Sequence, residues 1–271
     1  MTKVEKVHDL SKKQILKKAL TLRRHDKLYN LRNDHEERDF RSGIDGFSTI
    51  ACRLRYSRKV LDVGAGNGIL VSLLSELGHE CRAIDIIDLP ELYPEIYKEK
   101  KISFQKCNVE VDDIPYPDGF FDAVVCSEVF EHFTLSHLRA MQEIYRVLSP
   151  GGTVVVAVPN AVCFRNRSRM IRGKHITWDY KKHYLHAEPV LYKGLSFFPD
   201  RHNREFTASE LRLLLNEIHL RNIEVRFDKS RSYRTGFERI KSIGSSLRDL
   251  IPSLRKTLIA FGEKESLKGL E

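Results

Sequence analysis

"VLDVGAGNG", Val60–Gly68, decides how this chain is read. An apolar run ends in glycines at positions 64, 66 and 68, and an acid, Asp62, stands two positions before the first of them. Glycines after a strand let the backbone approach a ligand at the N-terminus of the next helix. A dinucleotide loop wants G-x-G-x-x-G, but the third such position here is Ile69. A phosphate-binding P-loop wants Gly-Lys and then Ser or Thr, and that is absent. Asp62 agrees with both exclusions: a carboxylate beside the turn repels phosphate and suits a ligand bearing an ammonium group. An acid that merely bonds the turn's own amides fits the same pattern.

Outward from this stretch, strands and helices alternate. "KVLDVG" reads as a buried strand. "GILVSLLSELG" reads as a helix with Leu70, Leu73, Leu74 and Leu77 on one face, stopped by Gly78. "CRAIDI", the weaker "ISFQKCNV", "FDAVVCSE" and "TVVVAVPN" are further strands. "LSHLRAMQEIYRVLSPGG" is a helix that turns Leu138, Met141, Ile144, Tyr145 and Leu148 inward, ended by Pro150 and Gly151. The pattern lapses over residues 161–206, long for a structureless loop, which points to a functional insertion. Order returns with "FTASELRLLLNEIHL", where Thr207 and Glu210 form a capping box before an apolar face of Leu211, Leu214, Leu215 and Ile218. "NIEVRFD" is a sixth strand, and "TLIAFGEK" a seventh that pairs at an edge. This alternation predicts an α/β fold, a parallel sheet with helices on both faces. Ligands of such sheets bind beyond the carboxyl ends of the strands, near the switch in strand order. Asp85 ends the second strand there, placed to accept both hydroxyls of a ribose or simply to cap a turn. Ile86 and Ile87 after it offer an apolar floor for a purine.

At 271 residues, 41% of them hydrophobic, the chain fits one catalytic domain with added elements. No run of about 18 apolar residues reads as a membrane span, and the basic N-terminus lacks the features of a secretory signal. A cytoplasmic location, peripheral to the membrane at most, is expected. The five cysteines are scattered without a CxxC pair, as small buried residues of a reducing compartment are. The net charge of +9 concentrates in residues 1–25, 161–186 and 229–256. These are solvated faces or the footprint of an anionic partner.

The run Val60–Asn160 resembles class I S-adenosylmethionine-dependent methyltransferases, and within them the type 11 branch that includes the ubiquinone and menaquinone methyltransferases. "VLDVGAGNG", "AIDI", "DDIPYPDGFFDAVVCSEVFEHF", "EIYRVLSPGGTVVVAVPN" and "HNREFTASELRLLL" carry the resemblance, in the family's order. It implies a Rossmann-like, doubly wound, mostly parallel seven-stranded sheet, here with a helical N-terminal cap over residues 1–47 and the methyltransferase domain over 48–271. It also implies S-adenosylmethionine as cofactor. Gly64, Ala65, Gly66 and Gly68 would pass under its methionine and ribose part, Asp62 would meet the amino group, and Asp85 would hold the ribose. Asn108 stands where the family usually has an aspartate that accepts from the adenine amino group. Val109 would offer a backbone N–H, and Cys126 and Ser127 would lie by the methionine end. Glu131 and His132 match the family's "EH" pair.

Methyl transfer from a sulfonium is an in-line displacement, so the protein mainly aligns the nucleophile and excludes water. An oxygen or nitrogen nucleophile also loses a proton. His202, which opens "HNREFT", is placed ahead of His132 as the candidate catalytic base. Either histidine can instead orient its own loop. In the insertion, Asp179, Tyr180, His183 and Tyr184 suit a lid over the acceptor. The histidines at 175, 183 and 186 lack a supporting acid cluster, so no metal is expected. Arg165, Arg167, Arg169, Arg172, Lys174, Lys181 and Lys182 favour an anionic acceptor. The basic amphipathic segment over about 234–256, with Phe237, Ile240, Leu247, Leu250 and Ile251 on one side, fits either a membrane surface or a helix packed on the domain. Together these features suggest a small-molecule, lipid-linked or glycan acceptor, methylated at oxygen. An RNA or protein methyltransferase is the alternative, disfavoured because "CSEVFEH" replaces an "NPPY"-like motif; nucleic acid is thus not an expected partner. A non-catalytic binding protein is a further alternative, opposed by the intact glycine turn and Asp85.

Overall fold

A computed structural model describes residues 10–24, 34–100, 102–177, 179–228 and 250–266. One seven-stranded sheet organises them. In chain order its strands are β1 (Lys59–Val63), β2 (Glu80–Asp85), β3 (Ser103–Lys106), β4 (Phe121–Ser127) and β5 (Leu148–Pro159), then, after a separate hairpin of β6 (Val190–Tyr192) and β7 (Leu195–Phe197), β8 (Arg221–Asp228) and β9 (Thr257–Glu263). The spatial order is β3-β2-β1-β4-β5-β9-β8. The first five strands are parallel, and β9 runs antiparallel to both neighbours. The chain moves outward from β1 through β2 and β3, then returns to β1's other side with β4. That reversal opens a crevice beyond the carboxyl ends of β1 and β4.

The period of two along each strand divides the core. Val60, Ala123 and Val125 face one apolar layer, which α3 (Ile69–Glu76) fills with Leu70, Leu73 and Leu74. Leu61, Val63 and Val124 face the other, filled by Met141 and Ile144 of α5 (His137–Val147) and by Leu211 and Leu215 of α7 (Ala208–Glu217). The capping box of Thr207 and Glu210 starts α7 as expected. Leu138, expected inward, lies in the first turn of α5 and is exposed. That helix also ends at Val147, before Pro150, because Leu148 already enters β5.

The seventh strand is corrected in place: β9 lies inside the sheet and β8 is the edge. Burial explains the exchange. Leu258 to Gly262 are buried without interruption, whereas β8 is largely exposed or half-buried. The N-terminal helices α1 (Lys12–Arg24) and α2 (Asp34–Arg53) do not stand apart. Leu10, Ile15, Ala19, Phe40 and Ile44 join the same apolar layer as α3, and Lys12 pairs with Asp45 at 3.2 Å. The expected boundary at residues 47 and 48 falls inside α2, which runs unbroken through it. The insertion is ordered where described, with α6 (Phe164–Ile171) and the β6–β7 hairpin. Most of the amphipathic segment at 234–256 lies outside the described residues; Leu250 and Ile251 are exposed.

Candidate functional site

The glycine turn leaves β1 at the switch point. Gly64, Gly66 and Gly68 all have positive φ, 69°, 51° and 72°, a region costly for side-chain-bearing residues. The N–H groups of Gly64 and Ala65 both donate to the Ile84 carbonyl, at 2.8 and 3.3 Å, which fixes the turn to β2. A Cβ on Gly64 would lie 2.5 Å from Val129 Cγ2, and one on Gly68 2.8 Å from Ile96 Cγ2. Those two glycines serve internal packing. A Cβ on Gly66 would meet nothing closer than the Gly64 carbonyl at 4.0 Å. Gly66 is therefore the glycine that leaves room for something outside the chain.

Two acids lie close to the turn. Asp85 accepts from Gly66 N–H (3.1 Å) and Ile87 N–H (3.0 Å), so it shapes the turn while its half-buried carboxylate stays at the crevice. Burial raises its pKa against the lowering effect of those N–H donors. Asp62 is buried, and its Oδ2 has no hydrogen-bond partner. Burial first, then the nearby Asp85 charge, push the Asp62 carboxyl up to about 8. A buried carboxylate without a countercharge is costly, and a cationic ligand would relieve it. Tyr97, which sequence reading missed, closes over the turn: its hydroxyl donates to the Gly66 carbonyl at 3.2 Å. No local pattern marked it, because it sits in a short π-helical turn, Glu95–Glu99.

On the expected adenine side, Asn108 is buried. Its Oδ1 already accepts from Glu110 N–H at 3.1 Å, and the buried atom without a partner is the donor Nδ2. That donor suits a ring nitrogen rather than an amino group. Glu110, also missed, ties this loop to the segment after β4 by accepting from Thr134 and Leu135 N–H at 2.7 and 2.6 Å. Val109 and Ala65 are buried in the core, so they offer backbone only, while Ile86 and Ser127 are half-buried at the strand ends. The Cys126 side chain is fully buried with Leu61 and Val124, so Cys126 too offers backbone only.

Beyond β4 the chain turns sharply. Glu128 has φ 57°, a strained value for a residue with a side chain, and its N–H donates to Ala157 at 2.8 Å. A 3₁₀ turn, Phe130–His132, follows. It brings together the two histidines that the sequence put forward: the rings of His132 and His202 lie 4.9 Å apart, nearly perpendicular. Backbone hydrogen bonds impose this meeting. Asn203 and Arg204 N–H donate to the Glu131 carbonyl at 2.7 and 3.2 Å, and Asn203 Nδ2 donates to the His132 carbonyl at 2.9 Å. Burial holds the His132 pKa down at about 4, keeping its ring neutral. Glu131 is fully buried, and burial together with the Glu128 charge holds its pKa well above the usual carboxylate range.

The insertion reaches both ends of the crevice. Tyr184 donates to the His202 carbonyl at one end. At the other, Tyr192 and Lys193 of the hairpin bond Asp112, which in turn accepts from Asn108 N–H at 3.0 Å. Its arginines are partly committed to their own segment: Arg167 donates to the Val162 carbonyl, and Arg169 to the His175 and Thr177 carbonyls. His175, His183 and His186 form no cluster of ligating groups among the described residues.

Asp85→Ala should weaken binding of the cofactor expected from the sequence roughly ten- to a hundredfold, the cost of about 1.5–3 kcal/mol for hydrogen bonds to a charged acceptor. Calorimetry on a variant with unchanged circular dichroism reads it, and wild-type affinity would remove Asp85 from the site.

Residues 33–225 match a family model described as a methyltransferase domain. The ubiquinone/menaquinone biosynthesis C-methyltransferase UbiE of Coxiella burnetii (strain Dugway 5J108-111) is 27% identical over 134 residues, covering 47% of this chain and 53% of that one. The mitochondrial ubiquinone biosynthesis O-methyltransferase of Mus musculus is 36% identical over 109 residues, 38% of this chain and 29% of that one. The chain thus spans about half the length, or less, of these curated relatives. The crystal structure of Burkholderia thailandensis 1,6-didemethyltoxoflavin-N1-methyltransferase, with S-adenosylhomocysteine bound, superposes with a TM-score of 0.50 at 18% identity, over 93% of this chain and 88% of that one. That likeness shows the fold.

Proposed function

Since the chain belongs to the class I S-adenosylmethionine-dependent methyltransferases, we propose that it moves the methyl group to an oxygen of a small, anionic or lipid-linked acceptor. The observation that carries the site is the glycine turn. At Gly66 alone of its glycines a Cβ would meet nothing nearer than 4.0 Å; Asp85 accepts from the Gly66 N–H, and the unpartnered Asp62 carboxyl lies within reach of the Asp85 charge.

The residues present fit the cofactor. Asp62 would hold its amino group, the Gly64–Gly68 turn its methionine and ribose part, Asp85 the ribose hydroxyls, and Asn108 Nδ2 a ring nitrogen. When bound, the cofactor supplies an electrophilic methyl on a sulfonium. The chain's residues do the rest. The insertion and the segment after β4 exclude water, and the His132–His202 pair handles the acceptor hydroxyl.

Two observations support the acceptor class. Met170, Ile171, Leu185 and Leu191 of the insertion are exposed large apolar side chains set among arginines and lysines. Such a surface suits a lipid-linked acceptor at a membrane face. Among the described residues no helix is long and apolar enough to cross a membrane, so contact of that kind would be peripheral. The mouse relative, an O-methyltransferase by its description, supports oxygen.

A screen with labelled S-adenosylmethionine across lipid, glycan and phenolic acceptors tests the proposal, and cofactor binding without transfer to any of them would defeat it. Within an active pairing, His202→Ala should lower turnover tenfold or more, as expected for loss of a group that orients the acceptor hydroxyl, while leaving cofactor affinity within about twofold. Equal turnover would remove His202 from the acceptor side.

A further inference from the structure

We propose that Glu131, His132 and His202 form a binding site for one divalent first-row transition-metal ion, on the acceptor side of the crevice. One donor atom from each of these residues lies within 4.8 Å of the others. Ligands about 2.0–2.2 Å from a metal stand roughly 3–3.5 Å apart, so small side-chain rotations close the site.

Glu131 is the strongest witness. Its side chain is fully buried, and neither carboxylate oxygen has a hydrogen-bond partner. No lysine or arginine pairs with it among the described residues; the neutral His132 ring stands beside it, with Nε2 at 3.9 Å. A second carboxylate, Glu128, lies against it. Glu128 is exposed at the rim while Glu131 is fully buried, and a carboxylate held there beside a second one is relieved by a cation.

The histidines are prepared in the manner of metal ligands. His132 Nδ1 lies 3.1 Å from the Arg201 carbonyl, which can only accept. The proton is therefore on Nδ1, and Nε2, the nitrogen facing Glu131, keeps its lone pair. Donation of the other ring N–H to a carbonyl is the usual way a ligating histidine is oriented. His202 Nδ1 is buried without a hydrogen-bond partner. The Asn203 and Arg204 amides bonded to the Glu131 carbonyl hold this histidine against the 3₁₀ turn. Two imidazoles and a carboxylate favour zinc, manganese, cobalt or iron over magnesium or calcium.

The site itself stands without the methyltransferase reading; its use rests on that reading. An ion here would take the acceptor's hydroxyl oxygen as a further ligand and lower its pKa. The hydroxyl proton passes to solvent. The oxygen–methyl bond then forms as the sulfonium–methyl bond breaks, with the electron pair staying on sulfur. The acceptor class is thereby narrowed to molecules with an ionisable hydroxyl.

The test uses the full chain, stripped with EDTA and titrated with Mn²⁺ and, separately, Zn²⁺ by calorimetry, with metal content read by elemental analysis. One ion per chain is expected. Glu131→Gln, which keeps the shape of the buried group, and His202→Ala should each weaken uptake by more than about a hundredfold, since even groups behind a ligand cost ten- to a hundredfold. His175→Ala should bind as wild type does. S-adenosylmethionine affinity, measured on the same samples, shows that the variants are folded and reads the cofactor site separately. Metal uptake without cofactor binding would overturn the methyltransferase reading alone. Absence of uptake by wild type at millimolar ion, or equal uptake by Glu131→Gln, would overturn the metal site alone.

Discussion

Gly66→Val is expected to abolish S-adenosylmethionine binding while leaving the protein folded. A valine Cβ at this position meets no protein atom nearer than 4.0 Å, so the chain itself accommodates it. The φ of 51° is unfavourable for a β-branched residue, by on the order of 1–2 kcal/mol, which a domain of this size survives. The side chain then fills the space at the turn. Affinity should fall by more than about a hundredfold, the loss of roughly 3 kcal/mol or more. Gly64→Val is the contrasting variant. Its Cβ would strike Val129 at 2.5 Å, so it should lose thermal stability as well as binding. Wild-type affinity in Gly66→Val would place the cofactor elsewhere.

The second large effect is at Asp62, where stability and binding should move in opposite directions. In the unfolded chain this carboxyl loses its proton near 4; in the folded protein it does so near 8. Between those values the folded state holds a proton that the unfolded state has released, so stability falls as pH rises. Asp62→Asn removes that dependence. The variant should melt higher than wild type at pH 8, by an amount on the order of a few kcal/mol, and the difference should vanish toward pH 4. Binding has the reverse sign. An ammonium group selects the ionised carboxylate, so wild-type affinity should weaken about tenfold per pH unit below roughly 8, with proton uptake by the protein as the cofactor leaves. Asp62→Asn should bind weakly and without that dependence. Thermal melts across pH, with calorimetry in two buffers of different ionisation enthalpy, read both. A variant that melts lower at pH 8 would show that the buried acid is already compensated within the chain.

Most of the sheet was legible in the sequence because its signals are local. The apolar runs, the glycine turn and the capping box at Thr207 each act within a few residues. Strand neighbours are different, since pairing is decided across the whole chain. A local clue to the last two strands did exist: "TLIAFG" is an unbroken apolar run, suited to a strand covered on both faces, whereas "RNIEVRFD" carries charges, suited to an edge. The candidate site divides in the same way. Asp62, the glycines and Asp85 follow from position after a strand. The meeting of His132 with His202 depends on amide hydrogen bonds to the Glu131 carbonyl between segments remote in sequence, and nothing near either histidine announces it.

The inside position of β9 bears on how the chain can be made. During synthesis β5 is complete long before β9 exists, and β8 cannot reach its place except through β9. Until then, the run Val154–Val158 presents an unpaired edge of buried-type residues with high strand propensity. Such an edge on a nascent chain invites pairing with another copy. The ribosome-bound intermediate is thus the species most in need of a chaperone, and premature termination ahead of Thr257 yields a sheet with its stickiest side open.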